Sequence, residues 1–153
     1  MLALPMRIRR ATHADIPVLM ALEKRASTAA HWSARQYEAA FSAEAPPRVL
    51  LILEEDSGMR GFIAGRAFDE EWEIENVVVA GPARRRGLGT RLLREFLELA
   101  RSQAARAVFL EVRESNLAAR KLYEKWAFVE SGRRKRYYRE PEEDAVVYRL
   151  GFP

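Results

Sequence analysis

Apolar and polar residues change their spacing several times along this chain, and each spacing is typical of one kind of secondary structure. Alternation of the two predicts strands, whereas apolar residues at three- and four-residue intervals predict helices. The clearest helical stripe follows Gly87, where apolar side chains recur from Leu88 to Ala100. The predicted strands are 6–10, 48–54, 60–68, 71–80, 107–112, one near residue 128 and 145–150, and the predicted helices are 12–25, 33–41, 87–103 and 115–126.

Polar residues at particular spacings indicate where three of these helices begin. Thr12 with Asp15, and Ser33 with Gln36, have the spacing of a capping box, in which the two side chains and two backbone N–H groups bond reciprocally. Ser115 can cap the last helix in a simpler way, by accepting a hydrogen bond from an N–H group of the first turn. Helices and strands therefore alternate in a mixed α/β order.

The composition bounds the size and surroundings of the protein. With 153 residues, of which 48% are hydrophobic, the chain suits one domain spanning residues 1–153 around one core. No apolar run approaches the roughly 20 residues that a membrane span needs, and the first ten residues lack the apolar middle of a signal peptide. We therefore expect a cytoplasmic protein with no membrane contact.

The residues that are missing exclude several kinds of chemistry. The chain has no cysteine, which rules out disulfides, zinc–thiolate sites and a thiol nucleophile. Its two histidines, His13 and His31, do not form a metal-binding pair such as HExxH. We expect no metal, and any acyl transfer should proceed without a covalent thioester on the enzyme.

Charge is nearly balanced overall, with a net charge of +4 from 26 basic and 22 acidic residues. Such a small excess indicates solubility rather than a nucleic-acid surface. The basic run 133–136 could contact RNA but is more typical of a solvated strand edge, so we expect no direct nucleic-acid partner. The acidic residues between 70 and 75 could receive a basic peptide, and an exposed strand face explains them equally well.

Residues 77–93, VVVAGPARRRGLGTRLL, lead from a predicted strand through a glycine-containing turn into an amphipathic helix. The first turn of a helix has N–H groups without intrahelical partners and favours negative charge, and glycine lets a phosphate approach the backbone. Gly87 and Gly89 fit neither the Walker pattern GxxxxGK[ST] nor the dinucleotide pattern GxGxxG. The turn is a candidate anion site, although glycines at such turns also serve packing alone.

This turn resembles the [R/Q]xxGxG/A signature of the GNAT superfamily of N-acetyltransferases, with Arg84 in first place. Residues 109–128, FLEVRESNLAARKLYEKWAF, are similar to the second hallmark of that family, which is a strand, an asparagine and a helix bearing a tyrosine. The pattern LEVRxSNxxAxxLY, the segment HWSARQYEAAF at 31–41 and RRKRYYxxxxEDAVVYRL at 133–150 resemble the RimI-type ribosomal-protein-alanine N-acetyltransferases. The resemblance covers nearly the whole chain.

The resemblance implies a fold and a co-substrate. The fold is a single α/β domain with a central, twisted, mostly antiparallel sheet of about seven strands flanked by about four helices. The co-substrate is acetyl-CoA, whose diphosphate binds at the turn, and the strand before the turn splays so that its N–H groups hold the acetyl carbonyl and the pantetheine arm. The implied co-substrate-binding residues are Val77, Val78, Val79, Arg85, Arg86, Gly87, Leu88, Gly89, Thr90 and Asn116.

Two further residues have catalytic roles in the resemblance. A protonated amine cannot attack a thioester, so a base must take its proton, and an acid must protonate the departing thiolate. Glu111 matches the family's proton acceptor and Tyr123 its acid. Considered singly, Glu111 could equally pair with Arg113 or another base, Tyr123 could be a core aromatic residue, and Asn116 could be a helix cap.

The acceptor implied by the resemblance is a protein α-amino group, namely the amino-terminal alanine of a small-subunit ribosomal protein. A lysine side chain, a small-molecule amine, or a catalytically silent CoA-binding module are the alternatives. The chain departs from the family where Ala127 replaces a glycine that follows the last helix. Because alanine resists the left-handed conformation that glycine permits, we expect this helix to end by another route.

Overall fold

A computed structural model of the protein describes residues 6–26, 32–42, 48–81 and 87–153. The strands are β1 (Met6–Arg10), β2 (Arg48–Glu55), β3 (Gly58–Phe68), β4 (Glu71–Val79), β5 (Ala107–Arg113), β6 (Val129–Tyr138) and β7 (Glu143–Gly151). The helices are α1 (Ile16–Lys24), which follows a short 3-10 helix (His13–Asp15), α2 (Ala34–Ala40), α3 (Leu88–Ser102) and α4 (Leu117–Lys125). Across these ranges the structure has the seven strands and four helices that the sequence predicts.

The strands form one sheet in the order β1-β2-β3-β4-β5-β7-β6. Every neighbouring pair is antiparallel except β4 and β5, which run parallel. Parallel neighbours need a crossover connection, and α3 provides it between them. The mostly antiparallel sheet expected from the family resemblance is therefore confirmed.

Helices cover both faces of the sheet. On one face, the apolar stripe of α3 packs with residues of the strands in one core. Its large buried residues include Trp72, Phe96, Leu88, Leu92, Leu93 and Tyr148. A Cβ on Gly65 would lie 2.6 Å from the Phe96 ring and 2.2 Å from the Glu73 carbonyl oxygen, so only glycine allows α3 to approach β3 this closely. On the other face, α1 and α2 pack on residues of β2, β3 and β4.

A buried carboxylate joins α1 to α2. Glu23 in α1 is only 2% exposed, and it accepts hydrogen bonds from the backbone N–H of Trp32 and from the hydroxyl of Tyr37. Burial raises the pKa of Tyr37, and the hydrogen bond to Glu23 raises it further. Ser33 and Gln36 form the predicted capping box at the start of α2. The chain that enters α2 is therefore held by α1 as well as by its own cap.

The beginning of α4 differs from the prediction. Asn116, not Ser115, is the cap, because Asn116 Oδ1 accepts a hydrogen bond from the Ala119 N–H at 3.2 Å. The Ser115 N–H instead donates to Glu143 Oε1 at 2.5 Å, which ties the end of β5 to the start of β7. The prediction of a Ser115 cap was wrong because Glu143 of a distant strand engages both the side chain and the backbone N–H of Ser115, and Asn116 caps the helix instead.

The end of α4 also differs from the prediction. Ala127 adopts φ 70°, the left-handed conformation that we expected alanine to avoid. The Phe128 N–H donates to the Tyr123 carbonyl at 3.0 Å and the Ala127 N–H to the Glu124 carbonyl at 3.0 Å, which is a Schellman motif. The rings of Phe128 and Tyr123 pack edge to face at 5.6 Å. This packing and the two hydrogen bonds outweigh the strain at Ala127.

Candidate active site

The centre of the sheet opens where β4 and β5 part. Their parallel pairing ends at Ile74 and Leu110. In β4, Glu75 is an extra residue, because the register with β3 shifts at this point. Beyond it, β4 pairs only with β3 as far as Val79, while β5 pairs only with β7 as far as Arg113. The two strands therefore enclose a gap, as the family resemblance predicts.

Backbone groups of β4 point into this gap. The Ala80 N–H donates to the Arg60 carbonyl of β3 at 2.8 Å. Because successive amides of a strand point in opposite directions, the N–H groups of Val77 and Val79 face away from β3, on the side of β5. The side chain of Val78 is buried against the α1 and α2 side, whereas those of Val77 and Val79 pack on the α3 side.

The first turn of α3 lies beside the gap. Gly87 precedes the helix with φ 74°, a left-handed conformation that favours glycine, and Leu88 is buried beneath it. A Cβ on Gly89 would contact Val79 Cγ2 at 3.8 Å and Leu122 Cδ2 at 3.9 Å, so the turn sits against the end of β4 and against α4. The N–H groups of the turn can therefore meet an anion that enters from the gap.

The remaining residues of the predicted anion site divide into two groups. Thr90 lies in the first turn of α3 and is partly buried. Arg85 and Arg86, together with Arg84, lie outside the residues that the structure describes. Asn116 lies at the start of α4, where its Oδ1 serves the cap and its side-chain NH₂ group is the end that can donate to a ligand.

Tyr123 lies on α4, on the α3 side of the sheet, and is 7% exposed. Its ring contacts those of Phe128 and Tyr148. Among the residues that the structure describes, none forms a hydrogen bond with its hydroxyl. Burial, followed by the charge of Tyr138, raises the pKa of Tyr123 to about 12. The hydroxyl therefore keeps its proton at neutral pH and is available as a donor.

Glu111 lies on the opposite face of the sheet. Its neighbours Leu110 and Val112 point into the core under α3, so the side chain of Glu111 points to the other side, where it is 14% exposed. Arg134 of β6 reaches it, with Nε 3.1 Å from Oε1. Arg113, the partner that we named as an alternative, instead contacts Glu143 at 3.3 Å. Glu111 is thus paired with a base, but not with that one.

Two tyrosines at the end of β6 complete this side of the site, and we did not predict them individually. The charge of Glu111 raises the pKa of Tyr137, and burial and a hydrogen bond to the same carboxylate raise it further. Burial, followed by the charge of Glu111, raises the pKa of Tyr138 to about 12. Since the charge of Tyr138 also acts on Tyr123, this ring is near both predicted catalytic residues. The RRKRYY sequence was the available signal.

The acidic residues between 70 and 75 are engaged with arginines of the same protein. The pairs are Glu70 with Arg106 at 3.4 Å, Glu71 with Arg149 at 3.1 Å, Glu73 with Arg66 at 3.1 Å, and Glu75 with Arg48 at 3.4 Å and with Arg66 at 3.5 Å. Burial raises the pKa of Glu75. These contacts favour the strand-face explanation of the acidic group over a role in receiving a basic peptide.

The structure describes residues 6–26, 32–42, 48–81 and 87–153. In these ranges, no three His, Asp or Glu side chains come together as a metal-binding group. None of the helices described is long and apolar enough to cross a membrane.

Comparison with known proteins identifies the family. The sequence model of the acetyltransferase (GNAT) family matches residues 16–128. The chain belongs to the GNAT family. A ribosomal protein bS18-alanine N-acetyltransferase of Salmonella typhimurium is 32% identical over 138 residues, which cover 89% of this chain and 90% of the relative. The crystal structure of the ribosomal-protein-S18-alanine N-acetyltransferase from Escherichia coli is similar with a TM-score of 0.85 and 26% identity, over 96% of this chain and 94% of that one.

These similarities confirm the fold and the class of enzyme that the sequence predicts: this GNAT protein is an N-acetyltransferase most similar to the RimI type. Tyr123 lies on the α3 side of the sheet and Glu111 on the opposite side. A group held in the gap would therefore have a proton donor on one side and a proton acceptor on the other.

Proposed function

We propose that this GNAT enzyme transfers an acetyl group from acetyl-CoA to a protein α-amino group, the amino-terminal alanine of a small-subunit ribosomal protein. The observation that carries the proposal is the gap between β4 and β5 with Glu111 and Tyr123 on its two sides. The names of the Salmonella typhimurium and Escherichia coli relatives, which act on the alanine of this ribosomal protein, support the acceptor. We propose one domain, residues 1–153, acting in the cytoplasm.

Acetyl-CoA supplies a thioester whose carbonyl carbon can be attacked by an amine. The site suits the diphosphate of acetyl-CoA. Gly87 has the left-handed conformation at the start of α3, and Gly89 has no side chain that would fill the space beside the gap. In the proposal, the first turn with Leu88 and Thr90 binds the diphosphate together with Arg85 and Arg86. The N–H groups of Val77 and Val79 and the amide of Asn116 hold the acetyl and pantetheine groups. Val78, which the family resemblance also implies, directs its backbone toward β3 and its side chain under α1 and α2, so we leave it out of the binding groups.

Glu111 takes one proton from the ammonium group of the acceptor, directly or through a water molecule. The freed amine forms a bond to the carbonyl carbon, and N–H groups of β4 stabilise the oxyanion, an effect worth about 3–4 kcal/mol for each donor. As the carbon–sulfur bond breaks, Tyr123 gives its proton to the sulfur. The nitrogen must lose a second proton to become an amide nitrogen, and Tyr123 takes this proton back. Glu111 then releases its own proton to solvent.

An acetylation assay with radiolabelled acetyl-CoA tests the acceptor. The panel contains peptides with a free amino-terminal alanine, the same peptides with a blocked amino terminus and one internal lysine, and small amines. We expect label only on the free amino termini. Label on the blocked peptides or on the small amines would assign the enzyme a different acceptor, and label on nothing would support a silent CoA-binding protein.

The variant Glu111→Gln tests the base. It should lower kcat by about 10²- to 10⁴-fold, the usual contribution of a general base, while acetyl-CoA binding measured by calorimetry stays near that of the unaltered enzyme. Glu142→Gln is a matched control, because Glu142 is an exposed carboxylate paired with Arg136 at 3.2 Å. An unchanged rate in Glu111→Gln at every pH would remove Glu111 from the mechanism.

A further inference from the structure

Arg134 covers the carboxylate that we assign as the base. Its Nε lies 3.1 Å from Glu111 Oε1, and the pair is asymmetric, because the arginine side chain is 58% exposed while that of Glu111 is 14% exposed. Arg134 also lies over the Tyr137 ring, with its Cζ 5.3 Å from the ring centre. The solvent-facing side of the base is therefore occupied by a cation of the protein itself.

A proton acceptor that acts directly comes within about 2.6–3.2 Å of the nitrogen whose proton it takes. Arg134 Nε is at such a distance from Glu111. An acceptor amine arrives mostly as an ammonium ion at neutral pH, since a free α-amino group has a pKa of about 7.7–8.0. An ammonium group that contacts Glu111 Oε1 directly must therefore take the position that Arg134 Nε occupies.

We propose that Arg134 occupies the position of the acceptor's ammonium group, and that the acceptor binds as a cation by displacing Arg134 from Glu111. The proposal rests on the function proposed above. It makes Arg134 a residue that determines specificity: the amine must bring a positive charge to replace the one that leaves. An acetylated amino terminus has no such charge and cannot make the exchange, which favours release of the product.

The structure gives Arg134 somewhere to go. Its guanidinium group is largely exposed already, so it loses little when it turns toward solvent or stays over the Tyr137 ring. The register between β6 and β7 is irregular from Arg134 to Tyr138, so regular strand pairing does not constrain the segment that follows Arg134. Displacement therefore requires a change of side-chain position and no rearrangement of the sheet.

Arg133 offers a matched control on the same strand. It pairs with Glu130 at 2.9 Å and with Glu114 at 2.5 Å, and not with Glu111. Arg133→Gln and Arg134→Gln remove the same charge from neighbouring positions. Any general effect of net charge on a cationic peptide should appear in both variants, whereas an effect of the exchange should appear only in Arg134→Gln.

The test is calorimetric binding of a short peptide with amino-terminal alanine, and of its amino-acetylated form, to the enzyme saturated with CoA. An exposed ion pair contributes up to about 1 kcal/mol, so Arg134→Gln should bind the free-amine peptide about two- to fivefold more tightly. Its affinity for the acetylated peptide should not change. Arg134→Lys, which keeps the charge, should bind both peptides as the unaltered enzyme does.

Three results would overturn the proposal: unchanged or weaker binding of the free-amine peptide to Arg134→Gln, an equal gain in Arg133→Gln, or an equal gain for the acetylated peptide. Thermal unfolding of each variant shows that the fold is retained. Because the readout is binding, it does not depend on turnover. If the peptide binds but no acetyl transfer occurs, the proposed function fails while the exchange at Glu111 is still measured.

Discussion

Replacing Ala127 by glycine should stabilise the protein. Ala127 lies after α4 with φ 70°, and the left-handed conformation costs an L-residue about 1–2 kcal/mol. Glycine does not have this cost. Its greater conformational freedom, however, stabilises the unfolded chain by about 0.4–1 kcal/mol relative to alanine, which offsets part of the gain. The net gain in the free energy of unfolding should be on the order of 0.5–1 kcal/mol. Both Schellman hydrogen bonds involve the backbone only and remain in Ala127→Gly.

The gain can be measured by thermal unfolding, where about 0.5–1 kcal/mol corresponds to a rise in Tm of roughly 1–4 °C for a chain of this size. Ala104 offers a second test, because it ends α3 in the same conformation with φ 64°, and Ala104→Gly should give a similar gain. The control is Ala118→Gly in the first turn of α4, where glycine should cost about 0.5–1 kcal/mol. A fall in Tm for Ala127→Gly equal to that of Ala118→Gly would refute the reasoning.

Two further predictions concern the site. Gly89→Leu should weaken acetyl-CoA binding, because its side chain must enter the space beside Val79 and Leu122, whereas Gly89→Ala adds a Cβ in ordinary contact and should bind nearly normally in calorimetry. Alkaline pH should destabilise the fold through Tyr123. The pKa of Tyr123 in the folded protein, about 12, lies above the ordinary value of 10. The contribution of its protonated hydroxyl to the free energy of unfolding is therefore complete below pH 10 and is lost as pH rises toward 12. The loss, on the order of 3 kcal/mol at about 1.4 kcal/mol per pKa unit, should shrink in Tyr123→Phe when urea unfolding is followed against pH.

Local patterns predicted the order and type of the elements because each depends on neighbouring residues. The stripe of α3 and the capping box at Ser33 and Gln36 are both as predicted. The two ends of α4 were predicted wrongly for different reasons, since a distant strand decides the first end and a contact around the helix end itself decides the second. The Ser115 backbone is engaged by Glu143, and Ala127 is held in its conformation by the contact of Phe128 with Tyr123.

The same distinction applies to the site. The turn at Gly87 and the predicted pair Glu111 and Tyr123 could be found in two short segments of sequence. The approach of Arg134 to Glu111 could not, because it depends on the order β5-β7-β6 and on the register of both strand pairs. Arg113 is nearer to Glu111 in sequence, yet it serves the turn before β7, where it contacts the Pro141 carbonyl oxygen at 3.1 Å.

The extra residue in β4 explains how one strand can serve both the core and the gap. Before the extra residue, Ile74 faces α3, and after it Val77 and Val79 do. The residues that face α3 therefore have even numbers before Glu75 and odd numbers after it. In a regular strand the alternation would continue, and Val78 would occupy the α3 side instead. The bulge therefore places Val78 under α1 and α2 while Val79 contacts the first turn of α3. Because β5 has no matching irregularity in its pairing with β7, the two strands part at the bulge, and the gap forms there.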